Sequence, residues 1–160
     1  MGRKVLAAVD LNSVTDSSVS YGIQLAARIE GAVIVIVVST PTHGKRHEYA
    51  IAPGADVDDN LKCWLDKLVD QSQQNGVAIE IFHASGDFFE EISRFTSFNP
   101  SIQFIVMAAP EKFNVWDNST FVEDLKLLRK KFDGEILLVQ KAGHVTRVPD
   151  LSFENPSREI

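Results

Sequence analysis

Two apolar runs near the start of the chain, "KVLAAVD" (4 to 10) and "AVIVIVV" (32 to 38), are rich in β-branched residues and do not alternate with polar ones. A strand with one wet face alternates, whereas a strand covered on both faces does not, so these runs predict central parallel strands. Between them, Val19, Ile23 and Ala26 recur at helical spacing. Ser13 and Asp16 have the spacing of a capping box at the start of that helix, and Gly31 stands where the helix should close. The segment is a βαβ unit.

The strongest helical pattern follows: Leu61, Trp64, Leu65 and Leu68 fall on one face with Asp and Lys between them, and "NG" (75 to 76) ends it. "VAIEIFHA" (77 to 84) alternates in part and predicts a third strand nearer an edge. "SGD" (85 to 87) turns into a helix carrying Phe89, Ile92 and Phe95, which must end before Asn99 because the residue preceding Pro100 avoids the α region. "IQFIVMA" (102 to 108) is the fourth strand. Phe121, Leu125, Leu128 and Phe132 form the stripe of a fourth helix, Gly134 stops it, and "EILLVQ" (135 to 140) is the fifth strand. Five strands alternating with four helices predict an open, doubly wound α/β domain with a parallel sheet. Its ligand crevice lies beyond the carboxyl ends of the strands, which puts Asp10, Val38 to Thr40 and the loop after Met107 on one rim.

Residues 1–141 form this domain, and 142–160 make a polar tail, expected to be frayed or docked on a partner. Residues 41 to 59 form a long connection rich in Pro, Gly, His and charge, of the kind that is functional or mobile.

Composition narrows the function. At 160 residues and 44% hydrophobic content the chain can bury one real core. A formal charge of -6 and a pI near 5.2 argue against a nucleic-acid partner, which would need Lys and Arg to neutralise phosphates. The basic run "RKK" (129 to 131) fits the carbonyl end of a helix instead. No apolar run is long enough to span a bilayer and no signal pattern opens the chain, so a cytoplasmic protein with no membrane partner is expected. The single cysteine, Cys63, beside Trp64, excludes an internal disulfide and reads as a partly buried small residue, not a nucleophile.

No catalytic or metal constellation stands out. His43 and His47 flank Gly44 in a loop without the further convergent ligands that zinc requires, and His83 and His144 are solitary. There is no G-x-S-x-G, Walker A or GxGxxG motif. The chain is therefore expected to be neither an enzyme nor a metal protein.

In order and spacing, "VLAAVDLNSVTDSSVSYGIQLAARIEGA", "SGDFFEEI" and "QFIVMAA" resemble the universal stress protein family, over nearly the whole length to Gln140. That resemblance implies a flavodoxin-like, adenine nucleotide alpha hydrolase-like sheet of order 3-2-1-4-5, a role in stress response, and dimerisation, often through the last strand. It also implies one of two behaviours, since some members bind ATP and others do not. The binding members carry Gly-x2-Gly-x9-Gly and then Ser or Thr after strand four. At the corresponding positions this chain has Ala108, Glu111 and Phe121. Glycine matters there because successive backbone N–H groups must point into one concavity around the phosphates, at a closeness and φ that a Cβ resists. Pro110 also removes one donor, and Glu111 sets a carboxylate near the phosphates, which costs about 4 kcal/mol per like-charge pair at 4 Å and an effective dielectric near 20.

The resemblance thus implies a degenerate nucleotide loop and no bound cofactor. The alternative is weak ATP or AMP binding through Asp10, Val38, the backbone at Met107 and Ala108, and Ser119 with Thr120 at a helix start. Asp10 matches the family position that contacts the nucleoside, but Asp side chains at strand ends also bond local backbone. Thr120 with Glu123 equally makes a capping box. Trp116 is expected to plug the crevice or to face a protein partner. The fifth strand, left at an edge, would expose unpaired backbone groups, so a homodimer in which two fifth strands meet antiparallel is expected.

Overall fold

The computed structural model describes residues 2–11, 16–39, 55–109, 120–140 and 143–148. Its elements are β1 (Lys4–Asp10), α1 (Asp16–Arg28), β2 (Ala32–Ser39), α2 (Ala55–Gln74), β3 (Ile79–Ser85), α3 (Phe88–Ser97), β4 (Ile102–Ala108), α4 (Thr120–Lys131), β5 (Glu135–Val139) and β6 (Val145–Arg147). The strands lie in the order β3-β2-β1-β4-β5-β6, parallel except for β6, which runs antiparallel to β5. The expected α/β fold and the order 3-2-1-4-5 are therefore present, with a sixth strand added.

The non-alternating runs behave as predicted. In β1 and β2 every interior residue is buried, because alternate side chains enter two different cores. Leu6, Ala8, Ile34, Ile36 and Met107 pack with Ile92 of α3 and Leu125 and Leu128 of α4. Val5, Ala7, Val33, Val35 and Val106 pack on the other face with Val19 and Ile23 of α1 and Leu68 of α2. β3 is an edge strand, which explains its half-polar pattern and the exposure of Phe82.

Helix ends show where glycine is needed. Gly76 (φ +68) closes α2 with Val77 N donating to Ser72 O at 2.9 Å and Gly76 N to Gln73 O at 3.1 Å, the paired bonds of a Schellman motif. After α1 the same motif forms one residue earlier than the glycine. Gly31 N donates to Ala26 O at 2.8 Å and Glu30 N to Ala27 O at 3.2 Å, so Glu30 (φ +57) holds the left-handed position. Gly31 is required for a different reason: a Cβ there would lie 2.3 Å from the carbonyl oxygen of Arg3, which already accepts a bond from Ala32 N. Gly134 likewise meets the Gln103 carbonyl oxygen, at 2.2 Å from a built Cβ. Between α4 and β5, Arg129 donates to the carbonyls of Phe132 and Gly134 at 2.9 and 3.2 Å, so the "RKK" run does close a helix.

Two expectations are corrected here. Cys63 is exposed, because it lies beside the Trp64, Leu65 and Leu68 stripe of α2 and not on it. The fifth strand is not the sheet's edge: Leu137, Leu138 and Val139 pair with Arg147, Thr146 and Val145 of the chain's own tail. Val148 enters the core at 3% exposure, and its N–H bonds Ile136 O at 2.8 Å. An apolar edge must be paired or covered, and here residues 145–148 do it in cis. Residues 149–160 lie outside the described residues.

Candidate functional site

The crevice of an open α/β sheet lies beyond the carboxyl ends of its strands. Register places Asp10 opposite Val38 on the neighbouring strand, and Ala8 opposite Met107. On the outer side, Ser39 pairs with Ser85, and Gly86 N donates to Ser39 O at 3.0 Å. Ala109 N continues the β4 ladder by donating to Val139 O at 3.0 Å. The strand ends carrying Asp10, Val38, Met107 and Ala108 thus share one rim.

Their side chains play unequal parts there. Val38 and Met107 are fully buried and belong to the core beneath the rim, so only their backbone can face a ligand. Asp10 and Ala108 are half-buried. Thr120 is the exposed first helical residue of α4, with Glu123 in the first turn, so Thr120 stands one position inside the N-cap place that a capping box with Glu123 needs. Ser119 lies outside the described residues, as do Ser13, Pro110, Glu111, Trp116, His43 and His47. His83 is exposed on β3, and the backbone carbonyl of His144 accepts from Gln140 N at 2.7 Å. Among the described residues no group of His, Cys, Asp and Glu is arranged to hold a metal, and no helix is long and apolar enough to cross a membrane.

Two features of this rim were not anticipated from the sequence. Phe121, in the first turn of α4, packs its ring against Phe89 at 5.4 Å, and Phe89 meets Phe88 edge-on at 5.3 Å. An aromatic wedge therefore joins the first turns of α3 and α4. The sequence carried both stripes but not their meeting, since two helices on separate βα units are brought together only by the sheet order.

The second feature is charge. Asp87 caps α3, its carboxylate accepting Glu90 N at 3.0 Å, and Glu90 and Glu91 follow in the first turn. In α4, Glu123 lies in the first turn and Asp124 follows it. The Asp124 carboxyl is pushed above the usual carboxylate range, first by burial and then by Asp87, Glu90 and Glu123. Acidic groups favour helix N-termini because of the exposed N–H groups and the dipole. Here two adjacent N-termini bring their own carboxylates into mutual repulsion. A signal was available in "GDFFEE" and "TFVED", two acidic helix starts, though not their proximity.

No family model matches the chain, and no curated protein matches it. Solved structures do. Universal stress protein UspA from Lactobacillus plantarum is similar at 12% identity and a TM-score of 0.58, over 85% of this chain and 96% of that one. A universal stress protein in complex with cAMP is similar at 15% identity and a TM-score of 0.56, over 86% and 97%. The universal stress protein from Archaeoglobus fulgidus in complex with dAMP follows at 14% and 0.53, over 85% and 96%. Many of the structures sharing this architecture are universal stress proteins, and the chain has their fold.

Proposed function

We propose that this chain is a universal stress protein-like regulatory or interaction module, not an enzyme, with little or no affinity for ATP. The observation that carries the reading is the β4–α4 rim. Ala108, Glu111 and Phe121 stand at the glycine positions, and the Phe121 ring occupies the space between two helix starts already lined by Asp87, Glu90, Glu123 and Asp124. A triphosphate approaching α4 meets carboxylates where a binding site presents amides. The module then acts through a protein partner whose identity is open. Titration calorimetry with magnesium and ATP is expected to give a dissociation constant of about 1 mM or weaker, roughly -4 kcal/mol.

A second reading, an adenine-nucleotide sensor, is favoured by the adjacency of Asp10 and the Val38 backbone and by neighbours of the same fold in complex with cAMP and dAMP. AMP carries less charge than ATP and suffers less from the acidic rim. Micromolar affinity for either nucleotide, lost in Asp10→Ala, would establish the sensor and end the first reading.

A further inference from the structure

The two edges of the sheet are treated differently. The β5 edge is covered by β6, whereas β3 has β2 on one side and, among the described residues, no strand on the other. Nothing in β3 blunts its open side. It is seven residues long, its register with β2 runs without a bulge from Val33 opposite Ile79 to Ser39 opposite Ser85, and "IEIFHAS" holds neither Pro nor Lys. Protein edges are commonly blunted by one of those devices. Side chains two apart share one face of a strand, so Glu80 lies on the same face as Phe82 and Ala84, the face that packs toward α3. There α3 is covered on one flank and open on the other. Its Phe89 meets Phe121 of α4, while Phe95 tilts against Phe82 at 5.2 Å. Phe82 stays 41% exposed, and Phe98, one turn beyond Phe95, is 76% exposed. Glu80 is exposed and makes no ion pair among the described residues.

We infer that the open β3 edge takes an extended strand of a partner protein, apolar where it passes Phe82 and basic where it passes Glu80. The main chain of β3 holds such a strand, the Phe82, Phe95 and Phe98 rings shelter its apolar side chains, and the alternation of its residues gives selectivity. Charge decides the occupant. A lone carboxylate on this edge, in a chain of net charge -6, attracts a cationic strand and disfavours a second copy of the same acidic chain. The inference rests on the interaction-module reading and names the surface that module uses. The two fail separately, since ATP affinity tests the module and strand binding tests the edge.

The test is an NMR titration of the isotope-labelled full-length chain with a blocked synthetic peptide, in which threonines alternate with lysine, isoleucine, valine and lysine in turn. A twin peptide carries glutamates in place of the lysines. Amide shifts are expected along residues 79 to 85 and 95 to 98, with the lysine peptide bound about fivefold tighter than its twin. Glu80→Lys is expected to reverse that order, and Phe82→Ser to weaken both peptides about tenfold. Glu80→Lys, at an exposed position, carries the decision should Phe82→Ser fail to fold. Shifts that avoid β3 at millimolar peptide, or equal affinities for the two peptides, overturn the inference. So does a wild-type dimer in sedimentation velocity that Phe82→Ser dissociates, because the edge then belongs to a second copy.

Discussion

Glu30 shows how a single residue can sit in the wrong place for its chemistry. A side chain with a Cβ at φ +57 is held there by the Schellman bonds around it, while the neighbouring glycine is fixed by the Arg3 carbonyl. Glu30→Gly is expected to stabilise the protein by about 1 kcal/mol, a rise of roughly 2 to 4 °C in melting temperature, because the left-handed strain disappears. Gly31→Ala is expected to lower the melting temperature by more than that. Thermal unfolding followed by circular dichroism checks both. Asp124 is the second instructive residue. Its folded-state pKa is raised, so the fold binds more protons than the unfolded chain between the ordinary carboxylate value and the raised one. Stability from this group therefore falls as pH rises through that window, and the penalty persists at neutral pH. Asp124→Asn should be more stable than wild type at pH 7, with the difference shrinking as acid protonates Asp124. A difference that grows toward low pH would contradict this assignment.

Among the elements, α3 depends on its first turn. Asp87→Ala removes the side-chain acceptor for Glu90 N and should cost about 1 kcal/mol in denaturant unfolding. Asp87→Asn keeps the cap but removes a charge, so its stability at neutral pH should stay near wild type while the Asp124 pKa, followed by NMR, moves down. The existence of this helix, its Asp start and its end before Pro100 were legible because each is a local rule. So were the two central strands, whose unbroken apolar runs admit no other placement. The sixth strand was not legible: "VTR" is too short and too polar to announce itself, and only the exposed apolar edge of β5 explains why it pairs. The candidate site was legible as a rim, from Asp10 and the β4 exit. It was not legible as an aromatic wedge among carboxylates, since Phe89 with Phe121 and Asp87 with Asp124 are neighbours only across the fold.

At the level of the whole molecule, the central strands feed two cores with alternate residues, so neither side of the sheet can loosen alone. Unfolding should be cooperative. In a Trp116→Phe background, Trp64 fluorescence reports α2, and its urea transition is expected to coincide with that from far-ultraviolet circular dichroism, which follows all the helices. Separate midpoints would show that the α1–α2 side unfolds by itself. The two ends of the same sheet also differ in what they will accept. At the amino end, Gly31 and Gly134 bring the chain into direct backbone contact with the Arg3 and Gln103 carbonyls as it re-enters β2 and β5, leaving no volume for even one methyl group. At the carboxyl end of β3, by contrast, a Cβ built at Gly86 (φ +145) meets no backbone but the Glu91 carboxylate, at 2.8 Å, a side chain that can move. Insertions and randomised sequence introduced beyond Asp10 or Ala109 should leave the scaffold folded, whereas lengthening the turns before Ala32 or Glu135 should not, which makes the domain a one-sided platform for grafted loops.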